Sequence, residues 1–313
     1  MYRVLISVLT LAVSAAAFAA GQPNTTTVSI GLIPIGDVSP VYIGIKHGFF
    51  KQEGLDLKPT FAAGGAAIVP GVVSGSIDIG YSNTVSLITA AEKGLPLKII
   101  APGSQVGATQ AQDHCFIYVK GSSAIKTVQD LAGKTIAVNA IKNLSDVTID
   151  ATLAAVGVNP STVKYVEMPF PDMEVALQSG RVDATGPCEP FVTLASDAGQ
   201  RRIVGFMVGT MPNLQFSAYF VSQRYAQKNP GIVKGFQKAM AKSLAYAQDH
   251  PDELRTVILG YTKISADVAK RMILPVWTDT KVNRDSLQRL SDLSVKYGII
   301  PRAPDLDKLF DNG

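Results

Sequence analysis

The sequence predicts an α/β protein built from two similar lobes, and three observations lead to this expectation. Short aliphatic or alternating segments, typical of strands, recur between segments with the apolar spacing of helices. Strands that alternate with helices indicate a mostly parallel sheet covered on both faces. A unit of helix, Ser-Gly and strand occurs twice, at residues 73–80 and 178–185. At 313 residues, 47% of them hydrophobic, the chain is long enough for one large packed domain or two ordinary ones.

The first 19 residues have the features of a secretory signal sequence. Arg3 supplies positive charge, residues 4–13 are mainly apolar, and Ala17-Phe18-Ala19 places small residues where signal peptidase requires them. The apolar run is shorter than the roughly 20 residues that span a bilayer core. We therefore expect cleavage after Ala19 and export to the periplasm, rather than a membrane anchor.

The predicted elements follow one another along the chain. Residues 27–33 alternate as a strand does, and Ser39-Pro40 has the features of a helix start, in a helix that ends at Gly48. A turn then leads into a second strand near residues 55–59. Further strands are expected at residues 77–81, 97–101, 115–119, 135–138, 163–167, 182–185 and 218–221. Helices are expected at residues 66–74, 85–93, 128–131, 145–156, 173–179 and 191–197, and after Pro230 at 232–249, 251–261, 265–274 and 286–297.

The internal repeat indicates two lobes of similar construction. Ser74-Gly75 and Ser179-Gly180 each follow an apolar helical stretch, where glycine fits the left-handed residue that closes a helix. Asp78 and Asp183 each lie near the start of the strand that follows, and we expect a structural role for both. Chance resemblance of so short a unit is the alternative.

Charge and cysteine content exclude some classes of function. Lys and Arg total 29 against 25 Asp and Glu, a balance that argues against a nucleic-acid-binding protein. The three histidines are scattered, and no Cys/His set has zinc-ligand spacing, so neither a metal nor a cofactor is expected. In an oxidising compartment Cys115 and Cys188 could form a disulfide, and two buried free thiols are the alternative.

No catalytic motif emerges. The chain has no Gly-x-Ser-x-Gly elbow, P-loop, Gly-x-Gly-x-x-Gly or His-Glu-x-x-His pattern. Gly64-Gly65 is typical of a turn rather than of a phosphate-binding loop. The sequence therefore favours binding over chemistry.

Ligands of open α/β sheets bind beyond the carboxyl ends of the strands, and this rule selects four segments. They are residues 34–39, 82–84, 139–146 and 186–190. With one nearby histidine and one tyrosine, they supply the candidate ligand-binding residues Ile35, Gly36, Asp37, Ser39, Tyr42, Ser82, Asn83, Thr84, His114, Asn139, Lys142, Asn143, Ser145 and Glu189.

Each candidate has an ordinary structural alternative. Ser39, Thr84 and Ser145 are also suited to helix capping. Lys142 is the best positive charge for an acidic ligand, and a solvated loop lysine is its alternative. His114 contacts ligand or occupies an ordinary surface position. Glu189 lies between two prolines and could accept a hydrogen bond from a ligand amine or ring N–H.

Several motifs in order resemble one known family. They are KHGFFKQEGLDL at residues 46–57, SGSIDIG at 74–80, DLAGKTIAV at 130–138, GVNPSTV at 157–163, SGRVDA at 179–184, and Glu189-Pro190-Phe191. Together they are similar to the nitrate/sulfonate/taurine and thiamine-pyrimidine group of ABC-importer periplasmic solute-binding proteins. The likeness extends over most of residues 28–225. Gly186-Pro187-Cys188 replaces aromatic residues common in the group, so the ligand class does not transfer.

The resemblance implies a type II periplasmic-binding-protein fold, with two Rossmann-like lobes joined by a two-segment hinge. One lobe would comprise residues 20–113 plus 216–313 and the other residues 114–215, with hinge crossings near 113–116 and 215–219. A monomer would close on a small organic anion, an oxo-anion or a polar heterocycle and then dock on the permease subunits. A pyrimidine-precursor enzyme, whose branch uses a Cys/His-rich element, and a sensory binding subunit are the alternatives.

Overall fold

The computed structural model of the chain describes residues 25–278 and 281–310. The expected signal sequence lies outside these residues. Within them, no helix has both the length and the apolar character needed to cross a membrane.

The described chain forms ten strands and twelve α-helices, most of which the sequence predicts. The strands are β1 (Thr26–Leu32), β2 (Leu55–Phe61), β3 (Ile79–Asn83), β4 (Leu97–Pro102), β5 (Phe116–Val119), β6 (Thr135–Val138), β7 (Lys164–Glu167), β8 (Ala184–Thr185), β9 (Arg201–Gly205) and β10 (Ser217–Ser222). The helices are α1 (Ser39–Lys46), α2 (Phe49–Gln52), α3 (Gly65–Ser74), α4 (Thr84–Glu92), α5 (Leu144–Ala155), α6 (Phe170–Ser179), α7 (Phe191–Asp197), α8 (Gln223–Lys228), α9 (Pro230–Asp249), α10 (Pro251–Val257), α11 (Ala266–Arg271) and α12 (Arg284–Lys296).

These strands make two sheets of five. The first has the order β2-β1-β3-β10-β4 and the second β7-β6-β8-β5-β9. In each sheet four strands share one direction and the fifth, β10 or β5, is antiparallel to both of its neighbours. The sheets are thus mostly parallel, as expected, and they divide the strands between two lobes. The exact bounds of the lobes stay a prediction.

Two crossing segments connect the sheets, because the chain leaves the first sheet after β4 and returns to it as β10. Gln105 on the outgoing segment bridges Gln215 on the returning one. Asp113 accepts hydrogen bonds from the N–H of Met207 at 2.8 Å and of Val208 at 2.9 Å. The two crossings are therefore bonded to each other as well as to the sheets.

The repeated unit has the same structure in both sheets. Helix α3 ends at Gly75 and α6 at Gly180, both in the left-handed conformation that favours glycine. Asp78 accepts the N–H of Ser29 in β1 at 2.8 Å, and Asp183 accepts the N–H of Thr135 in β6 at 2.9 Å. Each Asp thus fastens its strand to a neighbouring strand, which is the structural role expected of it.

Helix α9 packs on the first sheet through one apolar face. Its buried side chains include Val233, Phe236, Met240 and Leu244, at the three- and four-residue spacing of a helix face. The ring of Phe236 lies 5.6 Å from that of Tyr219 in β10. This burial holds the C-terminal helices on the lobe that contains β1.

The sequence predictions missed three elements and misjudged two others. Strand β9 was missed because it begins with Arg201-Arg202 and is largely half-buried, so its apolar signal is short. Helices α2 and α8 were missed too. The expected helix at residues 128–131 is a single 3₁₀ turn, Gln129–Leu131, and the one at 251–261 ends in another, Ile258–Gly260.

Cys115 and Cys188 form a disulfide in the structure. Both residues are buried. The bond joins the first crossing segment, just before β5, to the loop that follows β8. Of the two alternatives left open by the sequence, the structure has the bridge.

Candidate functional site

A small cavity of about 20 Å³ lies between the two sheets. It is lined from the first sheet by the ends of β1 and β3, from the second by the segments after β6, β7, β8 and β9, and by the returning crossing. The lining residues are Ile33, Ile35, Asn83, Asn139, Asn143, Leu144, Ser145, Phe170, Cys188, Met207 and Phe216. The cavity therefore lies beyond the carboxyl ends of the strands, where the fold rule places a ligand.

Two asparagines on opposite sides of the cavity each lie directly before a helix. Asn83 precedes α4 and its Oδ1 accepts the N–H of Ser86 at 2.9 Å. Asn143 precedes α5 and its Oδ1 accepts the N–H of Leu144 at 2.6 Å. Because the carbonyl oxygen of each amide is used at a helix start, its NH₂ group is what remains for a ligand. Both residues thus offer hydrogen-bond donors from opposite lobes.

The charge around the cavity comes from helix ends and not from side chains. None of the described residues that line it carries a charge. The N-termini of α4 and α5 lie there, and the partial positive charge of a helix N-terminus favours an anionic or acceptor-rich group. Ile33, Leu144 and Phe216 contribute apolar surface. Donors beside apolar surface suit an acceptor-rich group, but about 20 Å³ holds little more than one water molecule, so a larger ligand enters only if the lobes move apart.

Asp37 and His114 lie outside this lining, in a fully buried polar cluster at the hinge. Nε2 of His114 is 3.2 Å from Oδ1 of Asp37. The hydroxyl of Ser104 donates to the same Asp37 oxygen. Burial lowers the pKa of His114, but the charges of Asp37, Asp113 and Glu189 outweigh it and raise the pKa above its ordinary value. His114 is wholly buried, so the alternative of an ordinary surface position is wrong, and a ligand contact stays a prediction.

Glu189 bonds to the protein itself. Its carboxylate accepts the Thr193 hydroxyl at 2.9 Å, the Thr193 N–H at 3.1 Å and the Ile273 N–H at 3.0 Å. Its backbone oxygen accepts the N–H of Gly36 at 3.2 Å. Burial raises the pKa of the carboxyl. Glu189 thus accepts hydrogen bonds from Thr193 in the first turn of α7 and contacts two segments of the other half of the chain.

The hydroxyl candidates on the first sheet have structural bonds. Ser39 donates to the Gly36 carbonyl at 2.6 Å, and Thr84 donates to the Gln215 carbonyl at 3.0 Å. Tyr42 stacks on Tyr261 with ring centres 4.2 Å apart, and burial raises the pKa of Tyr42 to about 12.

The two remaining candidates, Ser82 and Lys142, each precede a lining asparagine in the chain but do not line the cavity themselves. Ser82 is buried against the start of α3. Lys142 is exposed and does not line the cavity, so its position is that of a solvated loop lysine.

Comparison with known families assigns the chain. The NMT1/THI5-like family matches residues 36–254. The chain belongs to the NMT1/THI5-like family.

Relatives of this NMT1/THI5-like protein include binding proteins and enzymes. It is 26% identical to the taurine-binding periplasmic protein of Escherichia coli over 226 residues, 72% of this chain and 68% of that protein. It is 25% identical to the 4-amino-5-hydroxymethyl-2-methylpyrimidine phosphate synthase THI5 of Saccharomyces cerevisiae, over 68% of this chain and 64% of that protein.

Solved structures show the same fold. The alkanesulfonate-binding protein SsuA from Xanthomonas axonopodis pv. citri, bound to MOPS, superposes with a TM-score of 0.75 at 18% identity, covering 92% of this chain and 99% of that one. The nitrate-binding protein NrtA from Synechocystis PCC 6803 gives a TM-score of 0.75 at 16% identity, covering 91% and 84%. These likenesses establish the periplasmic-binding-protein fold for this family member.

Sequence reasoning found the polar part of the cavity and missed most of the apolar part. Ile35, Asn83, Asn139, Asn143 and Ser145 were candidates and line the cavity. The lining residues not among the ligand-binding candidates are Ile33, Leu144, Phe170, Cys188, Met207 and Phe216. Phe170 was available to the strand-end rule, since it follows β7. Met207 was not, since it follows the strand that was missed.

A metal centre finds no support in the geometry. Within residues 25–278 and 281–310, no group of three or more His, Cys, Asp or Glu side chains is placed to hold a metal ion.

Proposed function

We propose that the chain is the periplasmic solute-binding component of an ABC-type importer. It captures a small organic or oxo-anion between its lobes, residues 20–113 plus 216–313 and residues 114–215, and delivers it as a monomer to permease subunits. The observation that carries the proposal is the pair of asparagine NH₂ groups, from Asn83 and Asn143, at one cavity between two helix N-termini.

The ligand class follows from the same geometry. Amide and backbone N–H donors recognise acceptor oxygens, and among the described lining residues no carboxylate is present to bind a cation. The names of two similar proteins, a taurine-binding and an alkanesulfonate-binding protein, point to sulfonates. We therefore place sulfonates first and carboxylates and nitrate next, with polar heterocycles after them. Closure on the ligand would be a population shift towards a state that makes contacts from both lobes.

The test is a thermal-shift screen followed by calorimetry on the purified protein. Taurine, MOPS, acetate and nitrate form the anionic set, with riboflavin and a neutral pyrimidine as uncharged comparisons and choline as a cation. A ligand at about 100 times its Kd adds roughly 2.7 kcal/mol to the free energy of unfolding. We expect a shift with at least one anion and none with choline. Stabilisation by choline alone would contradict the donor-lined site.

An enzymatic role is the second candidate, because the yeast synthase is a relative. The Cys/His-rich element expected of that branch lacks a counterpart in the described residues, where both cysteines form the disulfide. Mass spectrometry of a bound ligand after prolonged incubation separates the two roles. Recovery of the ligand unchanged supports a receptor, and a converted ligand would favour an enzyme.

A further inference from the structure

The loop that joins β6 to α5 brings two amide side chains to the cavity. We call this segment, residues 139–143, the ligand loop. It begins with Asn139 and ends with Asn143. Two successive N–H groups in its middle donate to carboxylates. The N–H of Ile141 donates to Glu167 at 3.0 Å, and that of Lys142 donates to Asp146 at 2.6 Å.

Lys142 has an unfavourable backbone conformation. Its φ is +52°, in the left-handed region. Relative to glycine, an L-residue is disfavoured there by about tenfold in population. Some contact must therefore hold the residue, and the N–H of Lys142 has a charged acceptor in Asp146.

The carboxylate of Asp146 is in a costly position. The residue is 3% exposed and its Oδ1 has no hydrogen-bond partner. The titratable groups that act on it include Asp150 on the same helix and Glu167 and Tyr165 on β7. Burial, and then the charges of Asp150 and Glu167, raise the pKa of Asp146 to about 7, against the opposing bond from Lys142. Stability alone gives no reason for a carboxylate at this position.

We propose that Asp146 is a positioning residue for the ligand: its carboxylate holds Lys142 in the left-handed conformation and thereby sets Asn139 and Asn143 at the cavity. The inference rests on the proposed function for its ligand, and on the loop geometry for its mechanism. An ionised carboxylate accepts the N–H more strongly than a protonated one. Ligand affinity should therefore fall as the pH is lowered from 8 to 6.

The test asks whether glycine at position 142, which adopts the left-handed conformation readily, compensates for the loss of the Asp146 carboxylate. In Asp146→Ala we expect taurine affinity, measured by calorimetry, to fall about tenfold, the population cost of the left-handed residue. The double variant Asp146→Ala/Lys142→Gly should regain most of that loss, because glycine adopts the conformation without help. Asp150→Ala, which removes a neighbouring acid with no bond to the loop, is the matched control. Because the charge of Asp150 raises the pKa of Asp146, the comparison is made at pH 8 or above, where the control should leave affinity near that of the wild type.

Amide hydrogen exchange gives a readout that needs no ligand. The Lys142 amide should exchange about tenfold or more faster in Asp146→Ala than in the wild type, and unchanged exchange would overturn the proposal. So would a loss of affinity that Lys142→Gly fails to restore, or a wild-type affinity that rises as the pH falls. If the wild type binds neither taurine nor the other anions, the proposed function fails, while the exchange rate still decides the role of Asp146.

Discussion

Nε2 of His114 lies 3.2 Å from Oδ1 of Asp37, with both side chains fully buried. The pair connects the outgoing crossing segment, which contains His114, to the segment between β1 and α1, which contains Asp37. The His114 ring also meets Phe216 of the returning crossing, edge to face, at 5.0 Å between centres. Charges at this depth are stable only together, since removing one partner leaves the other buried and uncompensated.

The pair makes stability depend on pH with a definite sign. The folded pKa of His114 is raised above its ordinary value, so folded protein binds the proton more tightly than unfolded protein. This contribution is complete below about pH 6.5, the unfolded value, and is lost as pH rises through the folded pKa. We expect the difference in unfolding free energy between wild type and His114→Gln to shrink from pH 6 to pH 9, measured by urea denaturation.

His250→Gln, at an exposed histidine, is the control: it measures how much the same substitution changes the pH dependence of unfolding free energy without a buried partner. Burial also raises the pKa values of Asp146 and Asp150, and the stability that this costs as the pH rises is the same in both proteins and cancels in the difference. Asp113 and Glu189 do not cancel, because the charge of His114 lowers their pKa values, so the difference reports the whole cluster around His114. A difference that stays constant with pH would contradict a charged His114.

The donor role of the two capping asparagines can be separated from their capping role. Asp is as good an N-cap as Asn, so Asn83→Asp and Asn143→Asp should keep α4 and α5 intact. Each change replaces an NH₂ donor by a negative oxygen at the cavity. We expect the thermal midpoint without ligand to change little, and the affinity for an anionic ligand to fall at least about 100-fold, the loss of a charge-assisted bond plus repulsion.

Asn159→Asp is the control for this pair. Asn159 caps a 3₁₀ turn through the same kind of bond, to the N–H of Ser161 at 3.1 Å, but is exposed and outside the cavity lining. It should leave affinity unchanged. Equal effects at Asn159 and Asn143 would show that the carboxylates act through net charge, not through the site.

Residues that directly follow a strand could be predicted to lie near the ligand site. The position of a strand along the chain is a local signal, and ligands of open α/β sheets bind beyond the carboxyl ends of the strands. Asn83 and Asn143 were found in this way. The role of the Glu189 carboxylate could not be predicted, because it accepts a hydrogen bond from the N–H of Ile273, which lies 84 residues further along the chain. The burial of His114 was not predicted for the same reason, because it involves Asp37 from a distant segment of the chain. The partners of such residues are set by contacts between segments far apart in the sequence, and the hydrophobic periodicity of the sequence carries no information about those contacts.

The disulfide should stabilise the fold mainly through the unfolded chain. Cys115 and Cys188 are 73 residues apart, and closing a loop of that length removes about 4 kcal/mol of unfolded-state entropy. We expect Cys115→Ala/Cys188→Ala to lower the free energy of unfolding by about 2–4 kcal/mol in guanidinium titrations. The wild type treated with a reductant should show a similar loss. If the wild type, unfolded without reductant, has two thiols that react with a thiol reagent, the disulfide is absent.

Gly65 lies where no side chain fits. It is the first residue of α3, and a Cβ there would lie 2.1 Å from the Ser82 hydroxyl oxygen and 2.7 Å from the Ser82 Cα. Ser82 directly precedes Asn83, so relief of the clash must move the residue that caps α4. We expect Gly65→Ala to cost about 1–3 kcal/mol of unfolding free energy, as overpacking does, and to weaken anion binding as well.

The matched control is Gly231→Ala, in the first turn of α9, where a Cβ meets nothing within 4 Å. Both glycines are helical, so intrinsic propensity alone would favour alanine at each by up to about 1 kcal/mol. The two variants should therefore change stability in opposite directions, measured by urea denaturation under the same conditions. If Gly65→Ala were as stable as Gly231→Ala, the close approach of α3 to Ser82 would be wrong, and with it the packing that places Asn83 at the cavity.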